Sequence, residues 1–320
     1  MRELKIGAGD ENQRLDKFLK KYLNKAPASF IYRMLRKKNI KLNKEKATGS
    51  EILKENDHVE LYLADATIDE FRDIKTLQKQ PLPKVVYEDA HLIFLNKPSG
   101  LLTQKAKETD SSLVDQLLYY LYKEGKYDPD AGGSRPSVCN RLDRNTSGLV
   151  LCGVDLPGLQ FLSEALKERT LTKEYLCVVR GNMQKAHVKG YLYKNEKNNR
   201  VSLYEHPVEG ASYAETIFTP LSTNFELSLV KAELITGKTH QIRSHLAFVG
   251  HPIIGDTKYG NPVVNRKYRL KYGVEDQLLH AAYVSFPEIT GRFSYLSGKR
   301  FAAELPEIFS AVMKGEDLHE

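Results

Sequence analysis

Beyond Pro83, the apolar residues of this chain fall into short runs that alternate as strands do, and these runs outnumber the helical patterns between them. The two kinds of pattern do not alternate strictly, as they would in a doubly wound fold. The sequence therefore predicts an α+β domain with a mixed, mostly antiparallel sheet. The predicted strands are residues 84–88, 91–96, 149–153, 175–179, 214–219 and 225–234, and the predicted helices are 113–122 and 159–167.

The first 63 residues carry a different pattern. Apolar residues recur at helical spacing from Leu15 to Leu23, Pro27 ends this helix, and Ser29 is the expected N-cap of a second one. Two alternating segments, 40–43 and 59–63, predict strands. The predicted organisation is a helix–helix–strand domain at 1–63, a linker at 64–83, the larger domain at 84–310 and a polar tail at 311–320.

The chain has 320 residues, of which 41% are hydrophobic and 28% charged, so it can bury a sizeable core. Its formal charge of +7 is concentrated at one end, because residues 1–63 hold 15 basic and 9 acidic residues. Between Asn12 and Lys46, twelve Lys and Arg residues face only Asp16 and Glu45. This density is typical of a phosphate-binding face, and the alternative is a basic helical surface that is simply solvated.

Several classes of protein do not fit this sequence. No run approaches the roughly 18 apolar residues that a membrane span requires, and the first residues lack the apolar stretch of a secretion signal. We therefore expect a cytoplasmic protein. The three cysteines, Cys139, Cys152 and Cys177, are far apart and form no C-x-x-C pair, so neither a disulfide framework nor a zinc site is predicted.

A polar segment at 140–148 leads directly into the apolar run at 149–152 and contains Asp143 between Arg141 and Arg144. Loops at strand ends often carry chemistry. A carboxylate with guanidinium neighbours can serve as an oriented nucleophile. An isolated Asp in a loop more often bonds its own backbone, so other motifs must decide between the two interpretations.

The run R-L-D-R-N-T-S-G at 141–148 resembles the R-L-D-x-x-T-S-G motif of the RluA-type pseudouridine synthases, which isomerise uridine in RNA. Further segments resemble other motifs of this family and follow in the family's order. They are N-K-P-S-G-L at 96–101, K-E-Y at 173–175, T-G-K-T-H-Q-I-R-S-H-L at 236–246, G-H-P-I-I-G-D at 250–256 and L-H-A at 279–281. The resemblance extends from residue 84 to about residue 290 and implies the pseudouridine synthase fold.

The resemblance implies a role for four residues. Asp143 would be the nucleophile that attacks the target uridine, at ribose C1′ or at base C6. Arg243 would pair with Asp143 and keep it ionised and oriented, and Tyr175 would stack on the uracil. Arg141 would fill the space that the uridine leaves when it flips out of its stack. The isomerisation involves no net redox change and no external energy, so the resemblance implies neither a cofactor nor a metal.

At the N-terminal end, R-L-D-K-F-L at 14–19 and the basic helix after it resemble the small α-L RNA-binding domain of several RNA-modifying enzymes. This implies that Arg33, Arg36, Lys37 and Lys38 contact RNA phosphates. Family members of this architecture mostly modify large-subunit ribosomal RNA, and a few act on transfer RNA. We therefore expect RNA as the partner, with large-subunit rRNA favoured over tRNA. The sequence shows no exposed heptad or obvious dimer stripe, so we expect a monomer.

The sequence departs from the family at two positions. Asn140 stands where His is common, and because an amide cannot titrate, we expect no proton transfer there. Lys238 stands where Arg is common and keeps the charge without the bidentate fork.

Three other functions fit the sequence less well. The run T-G-K-T at 236–239 lacks the first Gly of a phosphate loop, because Ala232 stands there. The three histidines between 240 and 251 lack the spacing of a zinc-protease motif and are expected to bond backbone or RNA. A non-catalytic RNA-binding protein would be expected to lose the carboxylate or its partner, and this chain keeps both Asp143 and Arg243.

Overall fold

The computed structural model describes residues 1–72, 77–130 and 133–320 and contains a four-stranded and an eleven-stranded sheet. The small sheet belongs to an N-terminal module that also holds three helices. The strands of this module are β1 (Arg2–Lys5), β2 (Ile40–Leu42), β3 (Glu45–Lys46) and β4 (His58–Leu61), and its helices are α1 (Leu15–Tyr22), α2 (Ala28–Arg36) and α3 (Asp65–Glu70). The strands pair antiparallel in the order β1-β4-β2-β3.

The two predicted helices of this module are confirmed, and each buries one face against the sheet. Phe18 and Leu19 of α1 are buried, as are Ile31 and Leu35 of α2. Helices of eight and nine residues are too short to be stable alone. Their stability therefore comes from this shared core.

The start of α2 differs from the predicted one, and two strands of this module, β1 and β3, were not predicted. Pro27, not Ser29, is the N-cap, and Ala28 is the first helical residue. Proline suits this N-terminal position because the first N–H groups of a helix have no intrahelical acceptor, so the missing N–H of proline costs no hydrogen bond. Strand β1 was not predicted, because only its pairing with β4, more than 50 residues away, makes it a strand.

Helix α3 lies in the segment predicted to be the linker, 64–83. Its Ile68 is buried in the core of the N-terminal module, and the ring of Phe71 packs against Phe30 with a centroid distance of 4.3 Å. This module therefore extends beyond residue 63. A six-residue helix shows no repeating pattern in the sequence. Residues 73–76 of the predicted linker lie outside the described residues.

The second domain is built around the large sheet, with helices on both of its faces. Its strands are β5 (Lys84–Glu88), β6 (Leu92–Lys97), β7 (Ser137–Val138), β8 (Ser147–Gly153), β9 (Thr172–Arg180), β10 (Ala186–Asn195), β11 (Arg200–Tyr204), β12 (Ser212–Asn224), β13 (Leu227–Leu234), β14 (Leu279–Ser285) and β15 (Arg300–Ala302). Its helices are α4 (Leu113–Lys123), α5 (Leu156–Lys167), α6 (Gln241–Phe248), α7 (Pro262–Tyr272), α8 (Glu307–Gly315) and a 3₁₀ helix (Gly291–Leu296).

The strand order is β11-β10-β12-β13-β9-β14-β8-β6-β5, with β15 beside β14 and β7 beside β8. Neighbouring strands are antiparallel except for β8 and β14, which are parallel. The predicted α+β class with a mixed, mostly antiparallel sheet is confirmed. Gly148 allows the close approach of β8 and β14, because a Cβ at this position would lie 2.3 Å from the carbonyl oxygen of Ala281.

Strand β8 lies at the centre of the domain and is buried at all seven positions. On one face, Val150 belongs to a core that also contains Leu117 of α4, Cys177 of β9 and Leu246 of α6. This core fixes the start of β8 and the start of α6 relative to each other. The two polar segments that the sequence analysis singled out precede these two elements.

The last residues of the chain pack on the second domain. Helix α8 crosses the predicted domain end at residue 310, and Val312 and Leu318 are buried in a core with Phe309 and Tyr268. The segment 311–320 is therefore not a separate polar tail. Its apolar residues are three in a row and then Leu318, a pattern too short to predict this packing.

Candidate active site

The polar segment 140–146, called here the site loop, runs from β7 to β8 and is held at three points. Asn140 Oδ1 accepts the N–H of Leu151 at 2.7 Å. Thr103 Oγ1 donates to the carbonyl of Leu142 at 2.9 Å and accepts the Leu142 N–H at 3.1 Å. Asn140, which replaces the family's common His, therefore acts here by bonding the backbone of β8.

A buried lysine, Lys97 at the end of β6, holds the site loop from the other side. Its Nζ donates to the backbone carbonyls of Pro98 and Leu101, both at 2.8 Å, and of Arg144 at 2.9 Å. Burial lowers the pKa of Lys97 to about 7, although the charge of Asp143 acts in the opposite direction. The three carbonyls take all three donors of the ammonium group, which ties the loop to the strand.

Arg243 of α6 joins the site loop to a second carboxylate. Its Nη1 donates to Asp143 Oδ2 at 2.8 Å, so the contact that the resemblance implied is present. Its Nε and Nη2 donate to the two oxygens of Asp256 at 2.7 and 3.0 Å. Asp256 is fully buried and also accepts the N–H groups of Lys258 and Tyr259. This bidentate pair aims the free end of the guanidinium at Asp143.

Tyr175 and Arg141 lie in the same cleft as Asp143. Tyr175 is on β9 and is only 8% exposed. Its burial, together with the charge of Asp143, raises the pKa of Tyr175 well above its usual value, so the phenol keeps its proton at neutral pH. Arg141 is exposed at the start of the site loop. All four residues that the resemblance singled out therefore line one site.

His240 is a further site residue, which the sequence analysis had assigned to backbone or RNA contacts. Its Nε2 lies 3.8 Å from Asp143 Oδ2, and its Nδ1 is hydrogen-bonded to the Tyr259 hydroxyl at 2.9 Å. Burial lowers the pKa of His240. The other two histidines of the segment face elsewhere: His245 is fully buried in α6, and His251 bonds the carbonyl of Arg180.

The cleft around these residues has a volume of about 1020 Å³. Among the described residues that line it, Asp143 is the single carboxylate, and nine side chains are basic. The basic residues are Arg141, Arg144, Lys167, Arg169, Lys173, Lys194, Lys238, Arg243 and Lys258. A cleft with this charge attracts a polyanion such as RNA.

The four basic residues predicted to bind RNA in the N-terminal module do not line this cleft. Arg33, Arg36, Lys37 and Lys38 lie at the end of α2 and directly after it, and all four are exposed. Lys38 has a positive φ of 63°, at the turn that leads into β2. They form a second basic surface, in addition to the cleft.

Sequence reasoning missed the roles of Lys97 and Asp256, although both lie inside segments quoted for the resemblance. A Lys next to Pro98 and an Asp after Gly255 are the only local signals. The role of Lys97 depends on its contact with Arg144, 47 residues later in the chain. The role of Asp256 depends on its contact with Arg243, 13 residues earlier. Within the described part of the chain, no helix has the length and apolar character needed to cross a bilayer.

Known proteins resemble both parts of the chain. The family model described as RNA pseudouridylate synthase matches residues 91–248, and the S4 domain model matches residues 13–59. Ribosomal large subunit pseudouridine synthase C of Escherichia coli (strain K12) is 32% identical over 288 residues, covering 88% of this chain and 87% of that protein. The protein of the same name from Pasteurella multocida (strain Pm70) is 33% identical over 293 residues, covering 88% and 85%.

A solved structure shows the same fold. Human RNA Pseudouridylate Synthase Domain Containing 4 superposes with a TM-score of 0.60 at 21% identity, covering 74% of this chain and 94% of that one. The two sequence relatives align with 88% of this chain and with 85% and 87% of their own lengths. The chain therefore belongs to the family of RNA pseudouridine synthases, isomerases that act on RNA, and carries the α-L RNA-binding module, an S4 domain, in front of its catalytic domain.

Proposed function

We propose that this protein converts uridines of large-subunit ribosomal RNA to pseudouridine, with Asp143 as the nucleophile. The observation that carries this proposal is the cleft, in which a single carboxylate lies among nine basic side chains. The choice of RNA is supported by the relatives named ribosomal large subunit pseudouridine synthase C. Ribosomal RNA as substrate would place the activity in the bacterial cytoplasm.

The two oxygens of Asp143 have different surroundings, which supports its role. Oδ2 accepts a hydrogen bond from Arg243, whereas Oδ1 has no hydrogen-bond partner among the described residues. The side chain is 27% exposed toward the cleft. Oδ1 is therefore the oxygen available to attack C1′ of the ribose or C6 of the base. In either route the uracil then turns and is rejoined to C1′ through C5.

Tyr175 and Arg141 suit the two steps that surround this chemistry. A buried, protonated phenol offers a flat ring on which the uracil can stack while it is detached. The exposed guanidinium of Arg141, two residues before the nucleophile, can occupy the space that the flipped nucleotide leaves in the RNA. We further propose that the protein acts as a monomer, since the sequence shows no exposed heptad or dimer stripe.

The N-terminal module would hold the RNA through its basic surface. Replacing Arg33, Arg36, Lys37 and Lys38 together with Glu should weaken RNA binding sharply. The magnitude of the slope of log affinity against log salt should fall by up to about 3.6, since each of the four phosphate contacts contributes about 0.7–0.9. All four side chains are exposed, so the thermal midpoint should stay close to that of the wild type. Filter binding over a salt series measures the slope, and an unchanged affinity and slope would remove this surface from the proposal.

The function is tested by release of tritium from RNA labelled at uridine C5, because joining C1′ to C5 expels that hydrogen. Unmodified large-subunit rRNA and bulk tRNA are compared as substrates for the wild-type protein. We expect release from the rRNA and little from the tRNA. Release from tRNA alone would keep the reaction but change the substrate, and release from neither RNA would contradict the proposed function.

A further inference from the structure

The last step of the isomerisation requires a base. When uracil has been rejoined to the ribose through C5, that carbon still carries its hydrogen. The C5–H bond must break, and its electron pair must restore the C5–C6 double bond. The electron pair displaced from C6 moves onto N1, which then takes a proton, after attack at C1′, or leaves with the Asp143 carboxylate after attack at C6. In both cases the C5 proton must be taken up by a group nearby. This requirement follows from the proposed function and is the same for attack at C1′ and at C6.

The place of this proton can be located relative to Asp143. After attack at C1′, that carbon lies about 3 Å from the carboxylate that it has left, and the new C–C bond is about 1.5 Å long. C5 therefore lies within about 5 Å of the Asp143 carboxylate. His240 Nε2 is 3.8 Å from Oδ2 of that carboxylate and lines the same cleft, so the imidazole borders the space that holds C5.

The backbone holds His240 in an unusual conformation to achieve this position. His240 is the N-cap of α6 and has φ 52° and ψ 19°, in the left-handed region that only a few per cent of non-glycine residues adopt, Asn, Asp and His most often among them. Its Nδ1 is bonded to the hydroxyl of Tyr259, which in turn accepts the N–H of Val201 at 2.7 Å. Strained backbone at a site is maintained only where the surrounding structure enforces it.

The other polar groups beside the nucleophile are poorly suited to take a proton. Arg243 is a cation and already donates to two carboxylates. Tyr175 is a neutral phenol, because its pKa is raised by burial and by the charge of Asp143. An imidazole is the side chain best suited to accept a proton near neutral pH.

The surroundings of His240 favour its neutral form. Burial lowers the pKa of His240, and the cations Arg243 and Lys258 lower it further. The carboxylates of Asp143 and Asp256 act in the opposite direction but do not reverse the shift. The ring is therefore mostly neutral at pH 7. In the tautomer that carries its proton on Nδ1, the Tyr259 hydroxyl oxygen accepts that proton and the lone pair of Nε2 faces the cleft.

We propose that His240 is the catalytic base that removes the C5 proton, with Tyr259 as the positioning residue that sets its tautomer. The C5–H bond breaks, the proton binds Nε2, and the imidazolium that forms is stabilised by the Asp143 carboxylate released in the preceding step. Nε2 then loses this proton to solvent and uracil N1 takes one from solvent, so the hydrogen lost at C5 is balanced by the hydrogen gained at N1. No oxidant, reductant or further reactant is needed.

The substitution His240→Asn tests the proposal, because Asn tolerates the positive φ of this position but cannot take up a proton. We expect kcat to fall by about 10²–10⁴-fold, the usual contribution of a general base, with little change in KM for the RNA. Because C5–H cleavage would then limit the rate, RNA that carries deuterium at uridine C5 should react more slowly than unlabelled RNA. The control variant His319→Gln, at a side chain 75% exposed, should behave as the wild type.

Tyr259→Phe and the wild type at low pH provide independent measurements. Tyr259→Phe should lower kcat less than His240→Asn and should also reveal a deuterium effect. In the wild type, the deuterium effect on kcat should grow as the pH falls and His240 becomes protonated. This measurement does not require the His240→Asn variant, so it tests the proposal even if that variant does not fold.

Two results would overturn the assignment of His240. One is a loss of kcat without any deuterium effect, which would indicate a merely structural role. The other is wild-type turnover by His240→Asn together with a deuterium effect that does not change with pH. Both results count against His240 only if the wild-type protein is active in the same assay. An inactive wild type would instead contradict the proposed function.

Discussion

Asp143→Asn should leave the protein folded and able to bind RNA but unable to form pseudouridine. We expect kcat to fall by about 10⁴-fold or more, equivalent to a loss of about 5 kcal/mol of transition-state stabilisation. An amide has the size of the carboxylate but is a very weak nucleophile. The assay is tritium release from C5-labelled rRNA.

The structure gives the reason for expecting a stable variant. Asp143 is partly exposed, and after its replacement Arg243 would still be held by both oxygens of Asp256. The loop would keep its bonds to Thr103 and Lys97. The thermal midpoint and the RNA affinity should therefore stay close to those of the wild type. As a control, Asp317→Asn, at a side chain 92% exposed, should retain full turnover. Full turnover by Asp143→Asn would show that another group is the nucleophile.

Asp256→Asn should cause the largest loss of stability among single substitutions in the site. It leaves the guanidinium of Arg243, only 7% exposed, without its buried counter-charge. Breaking a buried ion pair from one side costs about 3–5 kcal/mol, which lowers the thermal midpoint by roughly 10 °C in a protein of this size. Activity should also fall, because the amide can no longer hold the guanidinium at two points and Arg243 no longer orients Asp143.

The pH dependence of this effect follows from the carboxylate. Burial by itself would raise the pKa of Asp256, but the hydrogen bonds and charge of Arg243 and two backbone N–H groups lower it overall. A lowered pKa means that the carboxylate stabilises the fold above its unfolded pKa of about 4, and that this stabilisation is lost as the pH falls through the folded value. The difference in stability between wild type and Asp256→Asn should therefore narrow below about pH 4.

Thermal unfolding by circular dichroism at pH 7 and at pH 3.5 measures both effects. Glu275→Gln is the matched control, because it removes one partner of an ion pair with Arg269 in which both side chains are more than two-thirds exposed. Such pairs contribute about 0–1 kcal/mol. Equal midpoints for Asp256→Asn and Glu275→Gln would contradict the role given to the buried pair.

Much of the fold could be predicted because its signals are local. The helices at 15–22 and 113–123 and the strands at 147–153 and 172–180 were all expected, apart from shifts of a few residues at their ends. The elements that were not predicted include strands β1, β3, β7, β10, β11, β14 and β15 and helices α3, α6, α7 and α8, and the packing of 311–320 was not predicted either. Strand β1 and helix α3 are too short to show a period, and only contacts with distant parts of the chain stabilise them.

The candidate site divides in the same way. Asp143, Tyr175, Arg243 and Arg141 stand in quoted motifs, so the sequence alone determined the residue types and the family to which they belong. Asp143 and Arg243 are 100 residues apart in the sequence, yet Asp143 Oδ2 and Arg243 Nη1 are 2.8 Å apart. Only the packing of β8 and α6 in one core brings them together.

The tertiary structure also indicated roles for Lys97, Asp256 and His240, which their residue types alone do not indicate. Lys97 could have been a solvated lysine, Asp256 a turn residue and His240 an ordinary helix cap. Local sterics and the spacing of apolar residues determine helices and strands, and the sequence records both directly. Burial and charge pairing arise only when distant segments of the chain meet. Through these contacts, Lys97 binds the carbonyl of Arg144 in the site loop and Asp256 holds the guanidinium of Arg243. They also place His240 beside Asp143, in surroundings that favour its neutral form.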